Sequence, residues 1–338
     1  MTKVYKTYNL LIQIVILVVA YFFIIKQVFW KLDLPSFIRT LEDDIASPKF
    51  IFSIGLVLLM MMLNWMLETF KWKMLISKIE KVSLMRAVEA VLTGVTISSF
   101  TPNRIGEYFG RVFILKRASR AEGILITVLG SMSQLLITVL TGSVALMLFF
   151  PFLLPHSQYI REYLYVAFIA LILCLDFLLL SLFFNVSFLS SMKGKILQNG
   201  LKRLQKYFGI FTLYSNRELA MVLLFSLARY IVFSTQFIIL LRILGVEIPF
   251  HIAYMLISLI YFVMAIIPTF ALSELGIRGS VTIYFFSFYF TSRVAGLQEL
   301  NFSILLASVL QWVINLGIPA IAGSIFLFRL QFFRSYDL

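Results

Sequence analysis

The segment Thr101-Pro102-Asn103-Arg104-Ile105-Gly106-Glu107-Tyr108-Phe109-Gly110-Arg111 interrupts an otherwise apolar stretch with a proline, two glycines, one carboxylate and two guanidiniums. In a bilayer, such an interruption is stable only where its polar groups face protein or a water-filled cavity. A related interruption in the second half of the chain contains Pro268, Ser273, Glu274, Gly276 and Arg278. In both segments a glutamate precedes an arginine by four residues. We predict that the two segments form the two halves of one site.

The rest of the chain is strongly apolar. Its 338 residues are 61% hydrophobic and 13% charged, whereas a soluble domain is about half apolar and about a quarter charged. Continuous apolar runs of roughly 20 residues predict membrane-spanning helices, and they lack the short alternating segments of a β-barrel. The sequence therefore predicts an all-α polytopic membrane protein.

The formal net charge is +13, and the basic residues lie mainly in short loops beside the apolar runs. Loops of this kind set membrane topology and contact anionic headgroups, so we expect contact with anionic inner-leaflet lipids and no binding of nucleic acid. The single cysteine, Cys174, cannot form an intrachain disulfide. His156 and His251 lie far from any carboxylate cluster, so no metal site and no cofactor are predicted. A homo-oligomer is compatible with the sequence.

The hydropathy pattern predicts six full spans, at about 9–30, 50–70, 123–150, 164–184, 218–244 and 302–328. The first run continues for about 20 residues without a small-residue cleavage site, so it is predicted to be a retained helix. Basic residues after the second span place that loop, and both termini, on the cytoplasmic side of the cell membrane. Residues 185–217 are predicted to form a second cytoplasmic basic loop whose middle lies along the inner membrane surface.

Two further apolar segments, about 84–116 and 250–290, are interrupted in a way that predicts re-entrant hairpins. The arms of the first are only about 12 to 16 residues long, too short to cross at about 1.5 Å per residue. The first hairpin would enter from the cytoplasm and the second from outside. Residues 50–150 and 218–328 would then form an inverted-topology repeat within a single transmembrane domain, residues 1–338.

The first interruption is predicted to bind an anion. Pro102 should end the entering helix near Phe100, and a new helix could start after a cap at Asn103. The positive end of that helix, beside Arg104, would attract a phosphate. Glu107 and Arg111 lie one turn apart and can pair. The alternative is that the arginines only anchor the chain to the inner leaflet, with Glu107 neutralising one of them.

The second interruption has the same order of a proline, then a glutamate, then an arginine. Ser273 is a predicted helix cap, Glu274 and Arg278 lie one turn apart, and Gly276 is predicted to allow close helix approach. Together with Pro102, Gly106 and Pro268, Gly276 is assigned to the helix breaks.

Charged residues inside the other spans are expected to pair. We predict a structural pair between Asp176 and Arg229, which lie near the middle of consecutive spans. Glu68 is expected to form a surface pair with Lys71 at the membrane edge, where Lys71 begins the cytoplasmic basic cluster.

The motifs Thr101-Pro102-x-Arg104-x-Gly106-Glu107-x-x-x-Arg111 and Pro268 followed by Glu274-x-Gly276-x-Arg278 resemble a flippase-like integral membrane family. That family includes the membrane domain of bacterial lysylphosphatidylglycerol synthases. The resemblance implies inverted repeats with re-entrant helices, and movement of a lipid or lipid-linked polar group between leaflets. Some relatives carry a fused aminoacyl-transferase domain; this chain ends at Leu338, so synthase activity is not expected. Many relatives also have a glycine-rich run where this chain has residues 269–273.

Three functions follow from the sequence. The leading one is a lipid flippase without enzyme activity, in which Arg104, Arg111 and Arg278 bind a phosphate. Glu107 and Glu274 would pair with these arginines or contact a cationic headgroup, and Ser273 belongs to the same predicted substrate-binding set. The second is an integral membrane transferase acting on a lipid phosphate, with Glu107 as its carboxylate. The third is a non-transporting membrane scaffold that recruits partners through the basic residues within 193–206.

Overall fold

The computed structural model describes residues 47–101, 104–152, 158–186, 209–267, 271–290 and 297–329, together with isolated positions between 8 and 22. All regular secondary structure in these ranges is helical, which confirms the predicted all-α class. Most of the predicted first span, 9–30, and residues 187–208 of the predicted basic loop lie outside the described residues.

In chain order, the helices are α1 (Pro48–Ile76), α2 (Leu84–Ser98), α3 (Gly106–Val112), α4 (Arg120–Phe149), α5 (Gln158–Phe184), α6 (Asn216–Ile243), α7 (Phe250–Ile266), α8 (Ala271–Phe290), α9 (Leu297–Trp312) and α10 (Ile318–Ser324). Within the described ranges, five stretches are long and apolar enough to cross a membrane: α1, α4, α5, α6 and the continuous run through α9 and α10. They correspond to five of the six predicted spans.

A π-helical turn, Val313–Gly317, joins α9 to α10. Pro319 follows at the start of α10 and cannot donate a hydrogen bond to the carbonyl of Asn315 four residues earlier. Such a lost bond is a usual cause of a local change in helical winding. The turn holds Asn315 buried among the other long helices.

The shorter helices form two hairpins, α2/α3 and α7/α8. In the first hairpin, α2 ends at Ser98 and α3 begins at Gly106. In the second, α7 ends at Ile266 and α8 begins at Ala271. Pro102 and Pro268 themselves lie outside the described residues, but both gaps fall where a proline prevents helix continuation.

The assignment of Gly276 to a helix break was wrong. Gly276 is exposed and lies inside the uninterrupted helix α8. The close approach of α8 to α9 occurs instead at Gly279, where an added Cβ would lie 2.5 Å from Leu305 Cδ1.

The two arms of the first hairpin are in backbone contact. An added Cβ at Gly110 would lie 2.6 Å from Gly94 Cα, and one at Gly106 would lie 2.6 Å from the Ile97 carbonyl oxygen. The Gly106 amide donates to Thr101 Oγ1 at 2.9 Å, so Thr101 satisfies a free amide at the start of α3. The predicted cap, Asn103, lies outside the described residues.

Helices α1 and α6 run antiparallel. Beyond the end of α1, Lys78 Nζ lies 2.6 Å from Glu218 Oε1 in the first turn of α6. The Tyr214 hydroxyl, just before α6, donates to the Leu75 carbonyl at 2.8 Å. The first hairpin follows α1 and the second follows α6, so the hairpins enter the bundle from opposite ends.

Each hairpin packs against the last long helix of the other half of the chain. Helix α7 packs on α4, where an added Cβ at Gly142 would overlap the side chain of Phe262. Helix α2 packs on α10, where an added Cβ at Gly323 would overlap the Leu92 carbonyl. The halves of the chain are therefore interlocked through their hairpins.

Candidate functional site

The two breaks meet at the carboxylate of Glu274. Arg104, from the first break, donates through Nη2 to Glu274 Oε1 at 2.7 Å. Arg278, one turn further along α8, donates to the same oxygen at 2.9 Å. The Glu274 side chain is only 8% exposed, so its charge is held by these two guanidiniums inside the protein. This contact brings the two sequence segments together as predicted, and the Glu274–Arg278 pair also forms.

Arg104 has an unusual backbone. Its φ of +56° places it in the left-handed region, which costs a residue with a side chain about 1–2 kcal/mol. Such strain is retained where the surrounding structure fixes it, and it is frequent at functional sites. Here the left-handed residue, Arg104, is also the one whose side chain joins the first break to Glu274.

A second buried carboxylate, Glu68 of α1, forms ion pairs with three cations. Glu68 Oε1 lies 2.7 Å from Arg111 Nη1, and Glu68 Oε2 lies 2.8 Å from Lys71 Nζ and also pairs with Arg229 of α6. Arg111 in turn pairs with Glu107, as predicted. The expected Glu68–Lys71 pair forms, but Glu68 is 3% exposed, so the predicted location of the pair at the membrane surface was wrong. Glu68 instead joins α1, α3 and α6 inside the protein.

Two further expectations are corrected by this network. Lys71 is 1% exposed and donates to the Gly130 carbonyl at 3.1 Å and to Ser226 Oγ at 3.3 Å, so it belongs to the interior and not to the cytoplasmic cluster. The predicted Asp176–Arg229 pair does not form. Asp176 accepts a hydrogen bond from Ser143 Oγ at 3.0 Å, and Arg229 pairs with Glu68.

Between the two carboxylates lies a cavity of about 280 Å³, here called the central cavity. Three guanidiniums line it, from Arg104, Arg229 and Arg278. The remainder of its wall is aromatic, amide and aliphatic, and includes Asn64, Trp65, Gln134, Tyr230, Phe233, Tyr261, Gln311, Trp312 and Asn315. Among the described residues, no carboxylate lines it.

The central cavity lies at mid-depth in the helix bundle. Its lining comes from the middle of α1 (Asn64), of α4 (Gln134), of α6 (Arg229) and of the run through α9 and α10 (Gln311). Arg104 joins this lining from the first hairpin break, and Arg278 joins it from the second turn of α8. The breaks therefore meet at the level of the middle of the spans.

Arg229 is held in place by neighbours on several helices. Its Nε donates to Asn64 Oδ1 at 3.0 Å, and its guanidinium lies 5.4 Å from the centre of the Trp65 ring. Asn64 in turn donates to Asn315 Oδ1 in the π-helical turn at 3.4 Å. The guanidinium is thus oriented by α1 and, through Asn64, by the last span.

Of the three arginines expected to bind phosphate, Arg104 and Arg278 line the central cavity and Arg111 does not. Arg111 is 2% exposed and lies between Glu68 and Glu107, so the structure makes it a counter-ion behind the wall. The side chain of Ser273 lies outside the described residues. Arg229 and Glu68 were assigned other roles from the sequence, although a charged residue inside an apolar span was itself a signal of a functional position.

Among the described residues, no group of three His, Cys, Asp or Glu side chains lies close enough to hold a metal ion. A family model described as the lysylphosphatidylglycerol synthase TM region matches residues 10–305. That match includes both hairpins and the lining of the central cavity except for Gln311, Trp312, Asn315 and Leu316. No curated protein and no solved structure gives a significant match.

Proposed function

The chain belongs to the family of the lysylphosphatidylglycerol synthase transmembrane region, and from this premise we propose that it moves a phosphate-bearing lipid between the two membrane leaflets. Membership makes it an integral membrane protein involved in lipid modification or transport. The finer assignment, to transport, comes from the chemistry of the central cavity.

The observation that carries the proposal is the presence of three guanidiniums around a cavity at mid-depth. A charged group is costly at the centre of a bilayer unless protein or water satisfies it. A lipid phosphate that crosses the membrane meets this barrier. Guanidiniums bind phosphate through planar pairs of N–H donors, and they keep their charge in the interior. The cavity therefore offers charged hydrogen-bond donors to a lipid phosphate at the membrane centre, where the free-energy cost of crossing is highest.

The packing of the hairpins supports an inverted repeat. The hairpins enter from opposite ends, and each packs on the last long helix of the other half. In transporters built this way, discontinuous helices meet near the membrane midplane, and one repeat moves against the other around a fixed site. We propose that the Arg104–Glu274 pair is the point about which the two hairpins move.

We place the end of the bundle at the C-terminus of α1 in the cytoplasm. Lys73, Lys78, Lys81 and Arg86 cluster there, and Lys116 and Arg117 follow the first hairpin at the same end. An excess of basic residues marks cytoplasmic loops. The first hairpin then enters from the cytoplasm and the second from the outer side.

A transferase acting on a lipid phosphate is less well supported. Such an enzyme needs a carboxylate that can exchange a proton at the reacting atoms. Glu107 is bound to Arg111, and Glu274 is bound to both Arg104 and Arg278. Neither lines the central cavity, so we favour transport over covalent chemistry.

Reconstitution into liposomes tests the proposal. Lipids labelled on one acyl chain would be followed as they become accessible to a reductant outside the vesicles. We expect the wild-type protein to accelerate exchange and Arg278→Gln to slow it by roughly tenfold, since one charge-assisted hydrogen bond is lost. Arg242→Gln is the matched control because Arg242 is exposed at the end of α6, over the Phe250 ring. Equal exchange by both variants and the wild type would contradict the proposal.

A further inference from the structure

One carboxylate holds two of the three guanidiniums that line the central cavity. Arg104 and Arg278 each donate through Nη2 to Oε1 of Glu274, at 2.7 Å and 2.9 Å. Guanidiniums bind carboxylate and phosphate oxygens through the same kind of charge-assisted hydrogen bond. Glu274 therefore occupies donors that a lipid phosphate in the cavity would also use.

The three guanidiniums differ in how firmly they are held. Arg229 pairs with Glu68, whose side chain is only 4% exposed. Arg278 lies one turn from Glu274 on α8, so the helix itself keeps these two side chains adjacent. Arg104 comes from the other hairpin, and its side chain is 43% exposed. Of the three, Arg104 is the one that can exchange its carboxylate partner for another anion.

The exposure of Arg104 makes this exchange feasible. An ion pair with an accessible partner is weak, because water or another anion can replace either side chain. Breaking a fully buried pair, such as those of Glu68, instead leaves a charge without compensation. If a phosphate took the place of the carboxylate at Arg104, Glu274 would keep Arg278 as its counter-ion. The exchange therefore leaves no charge unpaired.

The backbone of Arg104 links this exchange to the shape of the first hairpin. Its φ of +56° lies in the left-handed region, which is unfavourable for a residue with a side chain. Such a conformation persists where neighbouring contacts fix it. The ion pair with Glu274 fixes the side chain of Arg104 against the second hairpin. Loss of that pair removes a restraint on the strained residue, so the first break can relax.

We propose that the Arg104–Glu274 pair is a latch between the two hairpins, and that the phosphate of the bound lipid opens it. Arg104 exchanges the carboxylate for the phosphate, Glu274 stays with Arg278, and the first break becomes free to move against the second. Departure of the lipid returns Arg104 to Glu274 and closes the latch. This inference rests on the proposed transport function, and it explains why the hairpins would move only when a lipid is bound.

Neutralising Glu274 distinguishes a latch from a purely structural pair. In Glu274→Gln no carboxylate competes for Arg104, so dihexanoyl phosphatidylglycerol should bind the detergent-solubilised protein about tenfold more tightly than it binds the wild type, as expected for one charge-assisted hydrogen bond. Dihexanoylglycerol, which lacks the phosphate, should bind both proteins equally. Isothermal titration calorimetry measures these affinities. Equal or weaker binding of the phospholipid by Glu274→Gln would overturn the latch.

Glu218→Gln is the matched control for the binding measurement. Glu218 pairs with Lys78 at the start of α6, away from the central cavity, and the two side chains are 33% and 32% exposed. Glutamine can also keep the capping contact that Glu218 makes with Ser215. We expect this variant to bind the phospholipid within about twofold of the wild type, as for most surface substitutions. A gain equal to that of Glu274→Gln would show a general effect of charge and would refute the latch.

Transport by the same variant separates the two proposals. Release of the lipid requires Glu274 to reclaim Arg104, so exchange in liposomes should be roughly tenfold slower in Glu274→Gln at saturating lipid, although the lipid binds more tightly. A purely structural pair would give slower exchange together with weaker binding. Tighter binding by Glu274→Gln, with no lipid movement by the wild type, would support the latch and refute transport. Lipid movement by the wild type, with unchanged binding by Glu274→Gln, would refute the latch and leave transport standing.

Spin labels measure the opening of the latch directly. In a Cys174→Ser background, Ile105→Cys and Gly276→Cys place one label beside each partner of the latch, at positions that are exposed. Saturating dihexanoyl phosphatidylglycerol should lengthen the distance between the labels, and dihexanoylglycerol should leave it unchanged. Addition of Glu274→Gln should give the longer distance without any lipid. A distance that stays the same when the phospholipid binds would overturn the latch.

Discussion

Arg104 and Glu274 are 170 positions apart in the chain, and the Nη2 atom of the arginine lies 2.7 Å from Oε1 of the glutamate. The pair joins the break of one hairpin to the break of the other. This hydrogen bond connects the two polar segments of the sequence directly, and it holds them close together beside the central cavity.

Cross-linking tests this contact. Cys174→Ser removes the single cysteine of the chain, and Arg104→Cys with Glu274→Cys then introduces one thiol at each break. We expect a short bismaleimide to link the two positions in membranes. The control replaces Glu274→Cys with Glu247→Cys, since Glu247 lies beyond the end of α6 and not at mid-depth. Equal linking of the two pairs would argue against the meeting of the breaks.

We expect Glu68 to be important for the stability of the folded protein. Glu68→Gln leaves Lys71, Arg111 and Arg229 without their shared counter-charge in the interior. Breaking a buried ion pair costs about 3–5 kcal/mol, which corresponds to a fall in unfolding temperature on the order of 10 °C. Thermal unfolding in detergent measures the change.

Glu162→Gln is the control for that measurement, because Glu162 is exposed on α5. We expect its unfolding temperature to stay within about 2 °C of the wild type, as for most surface substitutions. If Glu68→Gln lowered the unfolding temperature no more than Glu162→Gln, Glu68 would not hold the three helices together.

Local contacts of the site could be predicted from the sequence, and distant ones could not. The Glu107–Arg111 and Glu274–Arg278 pairs follow from a spacing of four residues on a helix. Helix ends near Ser98 and Ile266 follow from the prolines beside them. The partners of Glu68 on other helices, Arg111 and Arg229, lie 43 and 161 positions away. Only the packing of α1 against α2 and α6, with α3 folded back on α2, brings them together.

The crossing of the two arms in the first hairpin should not tolerate a methyl group. Gly110→Ala would place Cβ 2.6 Å from Gly94 Cα, a backbone atom that cannot move aside without shifting α2 against α3. We expect a loss of stability of about 1–3 kcal/mol from this overpacking, together with slower lipid exchange because Arg104 is displaced.

Gly55→Ala is the matched control for Gly110→Ala. Apart from the backbone of its own helix and its chain neighbours, no atom lies within 4 Å of an added Cβ at Gly55, which is also helical. Alanine is a better helix former than glycine by up to about 1 kcal/mol, so Gly55→Ala should be neutral or stabilising. A loss of stability in Gly55→Ala equal to that in Gly110→Ala would mean that the crossing itself is not the cause.

Single cysteines test whether the hairpins enter from opposite sides of the membrane. In the Cys174→Ser background, Ser77→Cys lies at the end of α1 and Lys116→Cys follows the first hairpin, whereas Glu247→Cys precedes the second hairpin. All three positions are exposed. Because α1 and α6 are antiparallel, a membrane-impermeant maleimide added to intact cells should label Glu247→Cys alone, and lysed cells should allow labelling of all three. Labelling of Ser77→Cys and Lys116→Cys alone would keep the opposite orientation of the hairpins and reverse the cytoplasmic assignment. Labelling of all three from one side would show that the hairpins enter from the same side of the membrane. That result would contradict the inverted repeat.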